Sequence, residues 1–135
     1  MQVILVNGLL LKPPTWQHQP MKKFLITYHV SAEAMQQQMA NSSPEEKAKG
    51  MEARMQWAQR VGNKMADMGA PLINGQSVGV DGSFRNSDKQ VSGYSIIMAD
   101  NLEEARSLVK GHPHLAGWNP EATIEVHESM PLPGM

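Results

Sequence analysis

Val91-Ser-Gly-Tyr-Ser-Ile-Ile-Met-Ala99, followed by Asn101-Leu-Glu-Glu-Ala-Arg-Ser-Leu-Val-Lys110, is the stretch that decides the fold. The first run stands behind the turn formers Asp81-Gly-Ser-Phe-Arg-Asn-Ser-Asp88 and reads as a strand. The second opens on an asparagine able to cap a helix. It places acids in its first turn and a base in its last, and it stops before Gly111. Downstream, Ala122-Thr-Ile-Glu-Val-His-Glu128 alternates strictly, and Pro131 and Pro133 end regular structure after it. The second half of the chain therefore runs strand, helix, strand.

Working toward the amino terminus, Pro71-Leu-Ile-Asn-Gly-Gln-Ser-Val-Gly-Val80 has modest strand character, with glycines that suggest an irregular or bulged edge. Before it, Ser42-Ser-Pro-Glu-Glu46 carries helix-start signals: a serine cap, Pro44 in the first turn and two acids against the positive end of the helix dipole. Met51, Met55, Ala58, Val61, Met65 and Met68 then recur at spacings of three and four, which predicts one long helix reaching Gly69. Gly62 falls in its middle, at a cost of about 1 kcal/mol relative to alanine. Phe24-Leu-Ile-Thr-Tyr-His-Val30 is rich in β-branched and aromatic residues and alternates from Thr27 onward, so it reads as the first strand. The order from Lys22 to Glu128 is strand, helix, strand, strand, helix, strand, an α+β domain.

Composition narrows the functions open to such a domain. A chain of 135 residues is the size of one ordinary domain, and its formal net charge of -1 comes with scattered basic residues. A nucleic-acid partner is not expected, because the clustered Lys/Arg face it needs is missing. Cysteine is absent, which excludes disulfides, thiolate metal sites and cysteine nucleophiles. That agrees with a cytoplasmic location. Methionine is abundant, with 11 in the chain, and Met35, Met39, Met51, Met55, Met65 and Met68 read as helix-face packing, with the lining of an adaptable pocket as the alternative. The apolar run Val3 to Leu11 is shorter than the roughly 20 residues of a membrane span, and it lacks the basic start and cleavage site of a signal peptide. With Pro13, Pro14 and Pro20 around Trp16 and His18, residues 1–20 read as an irregular extension ahead of a domain at 21–129, and residues 130–135 as a tail. No Gly-rich phosphate loop supports a nucleotide cofactor.

Three patterns go beyond secondary structure: Phe24-Leu-Ile-Thr-Tyr28, Val80-Asp-Gly-Ser-Phe84 ahead of Ser92-Gly-Tyr94, and Gly111-His-Pro-His-Leu115 ahead of Ile124-Glu-Val126. In this order they make residues 22 to 128 resemble the YCII-related family, in particular its DGPF branch. The chain departs from that branch at Ser83, where proline is typical. The resemblance implies a ferredoxin-like βαββαβ subunit with an antiparallel sheet, pairing with a second copy into a dimeric α+β barrel. Related barrels include small isomerases and monooxygenases. For the family itself, enzymatic activity has been proposed from a neighbouring histidine and aspartate.

Given the usual ferredoxin-like strand order (fourth, first, third, second), one rim of the sheet collects the end of the first strand, the loop 81–88, the end of the second helix and the start of the fourth strand. Alternation puts Phe24, Ile26, Tyr28 and Val30 on one face and Leu25, Thr27 and His29 on the other; in the last strand Ile124 and Val126 oppose Thr123, Glu125 and His127. The face with Thr27, His29, Glu125 and His127 is the candidate cavity. His127, near the other end of the sheet, is assigned to a separate group. His29 is the expected proton carrier, since an imidazole is half protonated near neutrality. An aspartate would hold its tautomer, Asp81 first and Asp88 second. The plainer alternatives are a strand-end role for His29 and an Asx-turn for Asp81. His112 and His114 are expected at a binding rim; the plainer reading is that Pro113 ends the helix and the imidazoles bond nearby carbonyls. They are metal ligands together with His29 only if all three converge, and no metal is assigned. Tyr94 and Trp118 are able to stack on a planar ligand or to pack at a dimer contact. The expected function is a small homodimeric enzyme of isomerase, lyase or cofactor-free oxygenase type, using His29-centred acid–base chemistry on a small organic molecule. A non-catalytic ligand-binding or scaffolding dimer is the alternative. A His29–aspartate pair in a closed pocket is the feature that separates them.

Overall fold

The computed structural model describes residues 4–6, 9–11 and 21–133. Within the segment expected to be irregular, β1 (Ile4–Val6) and β2 (Leu9–Leu11) pair antiparallel; Trp16, His18 and the prolines around them lie outside the described residues. The domain then runs β3 (Lys22–His29), α1 (Ala32–Asn41), α2 (Pro44–Val61), β4 (Met65–Pro71), β5 (Gln76–Val78), β6 (Phe84–Asn86), β7 (Val91–Ala99), α3 (Leu102–Val109) and β8 (Thr123–Glu128). Four strands form one antiparallel sheet in the order β4-β7-β3-β8, with β5 and β6 as a separate hairpin. That order is the one set out above, and β3 is bonded on both edges.

Alternation along the two central strands makes one face of the sheet the core. Phe24 and Ile26 of β3 and Ile97 and Ala99 of β7 are fully buried there, beneath Trp57 and Val61 of α2 and Ala105 and Val109 of α3. Removing these side chains from water is the main stabilising term, roughly 1.5–3 kcal/mol for each large one. Trp57 also donates its indole N–H to the Leu108 carbonyl at 2.9 Å, which joins the two helices. The helix starts follow from their caps. Ser43 and Glu46 form a reciprocal capping box, at 3.1 and 3.2 Å, and Asn101 accepts from the Glu104 N–H at 2.8 Å.

Two elements differ from the sequence reading. The long helix ends at Val61, where Gly62 takes φ +63°, so Met65 and Met68 belong to a strand and Gly69 is not a helix stop. The second sheet strand is Met65–Pro71 rather than Pro71 to Val80, and residues 76–86 fold into the β5–β6 hairpin instead of a strand followed by a loop. No β-branched residue marks β4. Pairing with β7 makes it a strand, through register shifts between Met65 and Asp67 and between Asp67 and Ala70. At the second irregularity Gly69 has φ +79°, and a Cβ there would lie 1.7 Å from the Tyr94 carbonyl oxygen. Helix α1 was not read as a separate element. Ser31 caps it, accepting from the Ala34 N–H at 3.1 Å, yet none of its residues is buried and it leaves no amphipathic signature.

These glycines make contrasting demands. Gly69→Ala must push strands apart and is expected to cost at least about 3 kcal/mol, read as a lower urea midpoint. Gly50→Ala, in the interior of α2 with nothing near its Cβ position, should raise stability by about 0.5–1 kcal/mol. An unchanged midpoint for the Gly69 variant would show that the β4–β7 contact is absent in solution.

Candidate functional site

The site is built on the end of β3, where consecutive side chains leave on opposite faces of the sheet. His29 is the last residue of the strand, and the β3–β7 register slips between Tyr28 and His29. Its Nδ1 lies 2.9 Å from the Lys89 carbonyl. A carbonyl only accepts, so Nδ1 carries the hydrogen, and Nε2 of the neutral ring accepts from the Thr27 hydroxyl at 2.8 Å. Nε2 is also 3.8 Å from Glu125 Oε1, and the same oxygen is 2.8 Å from His127 Nε2. The His127 bond, then the charge of His29, holds the Glu125 carboxyl below its ordinary range. Thr27 and Glu125 are paired across β3 and β8, and Thr27 also faces Tyr94 of β7, whose hydroxyl reaches Asp67 at 3.4 Å. This open face thus carries one imidazole with a fixed tautomer, beside a carboxylate.

On the helix side, Tyr28 lies against His112 with ring centroids 4.7 Å apart, and Trp57 meets the same imidazole edge-on at 4.5 Å. Gly93 leaves room for the Tyr28 ring, since a Cβ there would stand 3.1 Å from its Cδ2. Ser95 gives its hydroxyl hydrogen to the Met68 carbonyl at 2.7 Å, so the Tyr28 hydroxyl donates to Ser95 Oγ at 2.6 Å. Burial raises the Tyr28 phenol above its ordinary range. His112 Nδ1 accepts from the His114 N–H at 2.9 Å, and burial pushes this imidazole down to about 3, so it stays neutral at any ordinary pH. His114 is also lowered, again chiefly by burial. It donates from Nε2 to the His29 carbonyl at 3.1 Å, and its own carbonyl accepts from the Trp118 indole at 3.0 Å.

The expected rim is therefore formed in part. His29, Lys89, His112, His114 and Thr123 meet there. Asp81 does not bond to His29: its Oδ1 accepts from the Ser83 N–H at 3.0 Å and hydroxyl at 2.6 Å, an Asx-turn at the hairpin tip that keeps the carboxyl below its usual range. Asp88 is exposed and lies 3.9 Å from the Lys89 ammonium. A backbone carbonyl fills the tautomer-holding position foreseen for an aspartate, and no residue type announces it. Glu125 is the carboxylate that faces His29. His127 joins the same cluster through Glu125, correcting its assignment to a separate group. The imidazoles of His112 and His114 lie on the other side of β3 from that of His29, and among the described residues no three His, Asp or Glu side chains are grouped to hold a metal. Trp118 lines a polar groove of about 250 Å³ with Gln37, Asn41 and Asn119, and His29 is not among its walls. Tyr28 was read only as core. The signal for its role was its position between Thr27 and His29.

A family model, the YCII-related domain, matches residues 22–126, from the first residue of β3 into β8. The chain belongs to the YCII-related family. No curated protein matches it. The match covers every strand of the YCII-related sheet and both arms of the site, Thr27–His29 and Glu125. Among the described residues no helix is long and apolar enough to cross a membrane.

The depressed imidazoles fix a pH dependence. Unfolded, His112 and His114 take up protons near pH 6.5; folded, they resist, so the unfolded state binds more protons and stability falls as pH drops. Between pH 7.5 and 5 the loss from each is at most about 1.4 kcal/mol per pH unit. His112→Gln should flatten the curve of urea midpoint against pH in this window. An equally steep curve would mean that His112 is protonated in the folded protein.

Proposed function

We propose that this YCII-related protein is a cytoplasmic homodimer that moves a proton on a small organic molecule, with His29 as the acid–base group. The observation that carries the reading is the fixed imidazole, with Nδ1–H on the Lys89 carbonyl and Nε2 turned toward Thr27 and Glu125. A base needs a defined lone pair, and a permanent acceptor behind the other nitrogen supplies it. A carbon acid fits this group: Nε2 takes the proton from a carbon beside a carbonyl, and the electron pair passes to the carbonyl oxygen. The proton returns at another carbon in an isomerisation, or the enolate expels a group in a lyase. Glu125 stabilises the imidazolium formed between these steps.

Homodimerisation fits the uncovered face. Beside the polar cluster it presents Leu25, 39% exposed, with Ile96 and Met98 half-buried. A second copy seated there would exclude water from His29 and strengthen its electrostatics. The competing reading, a dimer that only binds, is favoured by two observations: Asp81 bonds Ser83 and not His29, and the groove at Trp118, walled by Gln37, Asn41 and Glu46 among others, lacks His29.

Deuterium incorporation from D2O into a panel of small 2-oxo acids and 1,3-dicarbonyl compounds, followed by NMR, separates the two. His29→Gln should lower the rate by about 10²–10⁴-fold. Equal rates in both proteins would leave the binding dimer. Leu25→Glu should shift the sedimenting species from dimer to monomer, and an unchanged dimer would place the contact elsewhere.

A further inference from the structure

His29, the last residue of β3, is paired with Val91 of β7 and Thr123 of β8, and its carbonyl takes a further donor from outside the sheet. His114 supplies it from Nε2 at 3.1 Å, beside the His29–Thr123 pair where β8 begins. One imidazole thus ties the end of β3, which presents His29, to the turn that follows α3. It is held in turn: His112 accepts from its N–H at 2.9 Å, Trp118 donates to its carbonyl at 3.0 Å, and Tyr28 packs on it with centroids 5.5 Å apart. His112 is wedged between Tyr28 and Trp57, which anchors the whole turn in the core.

We infer that His114 is a positioning residue, a clamp from the turn after α3 onto the end of β3 that sets the approach of the His29 imidazole to the Glu125 carboxylate. It makes no hydrogen bond to the His29 ring or to the Glu125 carboxylate. It acts through the backbone, so its loss changes where His29 sits and leaves the chemistry of His29 intact. The consequence for proton transfer rests on the acid–base reading above, whereas the effect on the ring of His29 does not.

The test uses the full chain with ¹⁵N-labelled histidine. In the wild type His29 should show a single Nδ1–H tautomer. In His114→Ala it should move toward a mixture of tautomers, and deuterium incorporation should fall by about tenfold to a hundredfold. His114→Gln, whose amide N–H is able to reach the same carbonyl, should restore much of both. Trp118→Phe removes only the indole N–H and should shift the His29 signals the same way by less; if His114→Ala does not fold, this variant decides alone. An unchanged His29 spectrum in folded His114→Ala, or in Trp118→Phe when that variant stands alone, would overturn the clamp. If His29→Gln retains proton exchange, the acid–base reading falls, and the nitrogen spectrum still decides the clamp.

Discussion

The central strand of this domain is hydrogen-bonded along both edges, so each of its side chains has only two directions to take. Everything else follows from that restriction. Phe24 and Ile26 fill the helix side, while Thr27 and His29 are left on the open side, one residue out of phase. Tyr28 stands between them and faces the core, where its hydroxyl finds Ser95 and its ring finds His112. Core and site are therefore two sides of one ladder. A slip of one residue in the pairing would exchange them.

Much of the fold was legible because it rests on signals of this local kind. The alternation of β3 and β8, the Asn101 cap and the apolar run of β7 each decide their own element, and together they give the α+β order; the sheet arrangement came from the resemblance to the YCII-related family. The second strand was not legible. Met65-Ala-Asp-Met-Gly-Ala-Pro71 has weak strand propensity, and its methionines continue a helical spacing begun at Met51. Only its neighbour β7, nearly thirty residues on, makes it a strand. The stop at Gly62 was present in the sequence, but a glycine within a helical pattern reads equally as a tolerated weak point.

For the site, face assignment by alternation brought Thr27, His29 and Glu125 together correctly. The reading failed where geometry depends on loops. Asp81 is spent on its own turn, satisfying Ser83, because a short polar side chain finds the nearest N–H first. The partner of His29 at Nδ1 is main chain, and every residue carries a carbonyl. His112 and His114 were placed at the right rim: burial makes the first a neutral packing element, and the second bonds a nearby carbonyl, the plainer of the readings set out for it.

The bond from His29 to the Lys89 carbonyl also shapes how this protein is able to diverge. Any amino acid at position 89 offers the same oxygen, so mutation of that side chain does not reach the imidazole. What the bond does sense is spacing. An insertion or deletion between Asn86 and Val91 would withdraw the carbonyl, because β6 and β7 fix both ends of that segment. The hairpin beyond it is free to change its chemistry over generations, while the count of residues at its root is pinned.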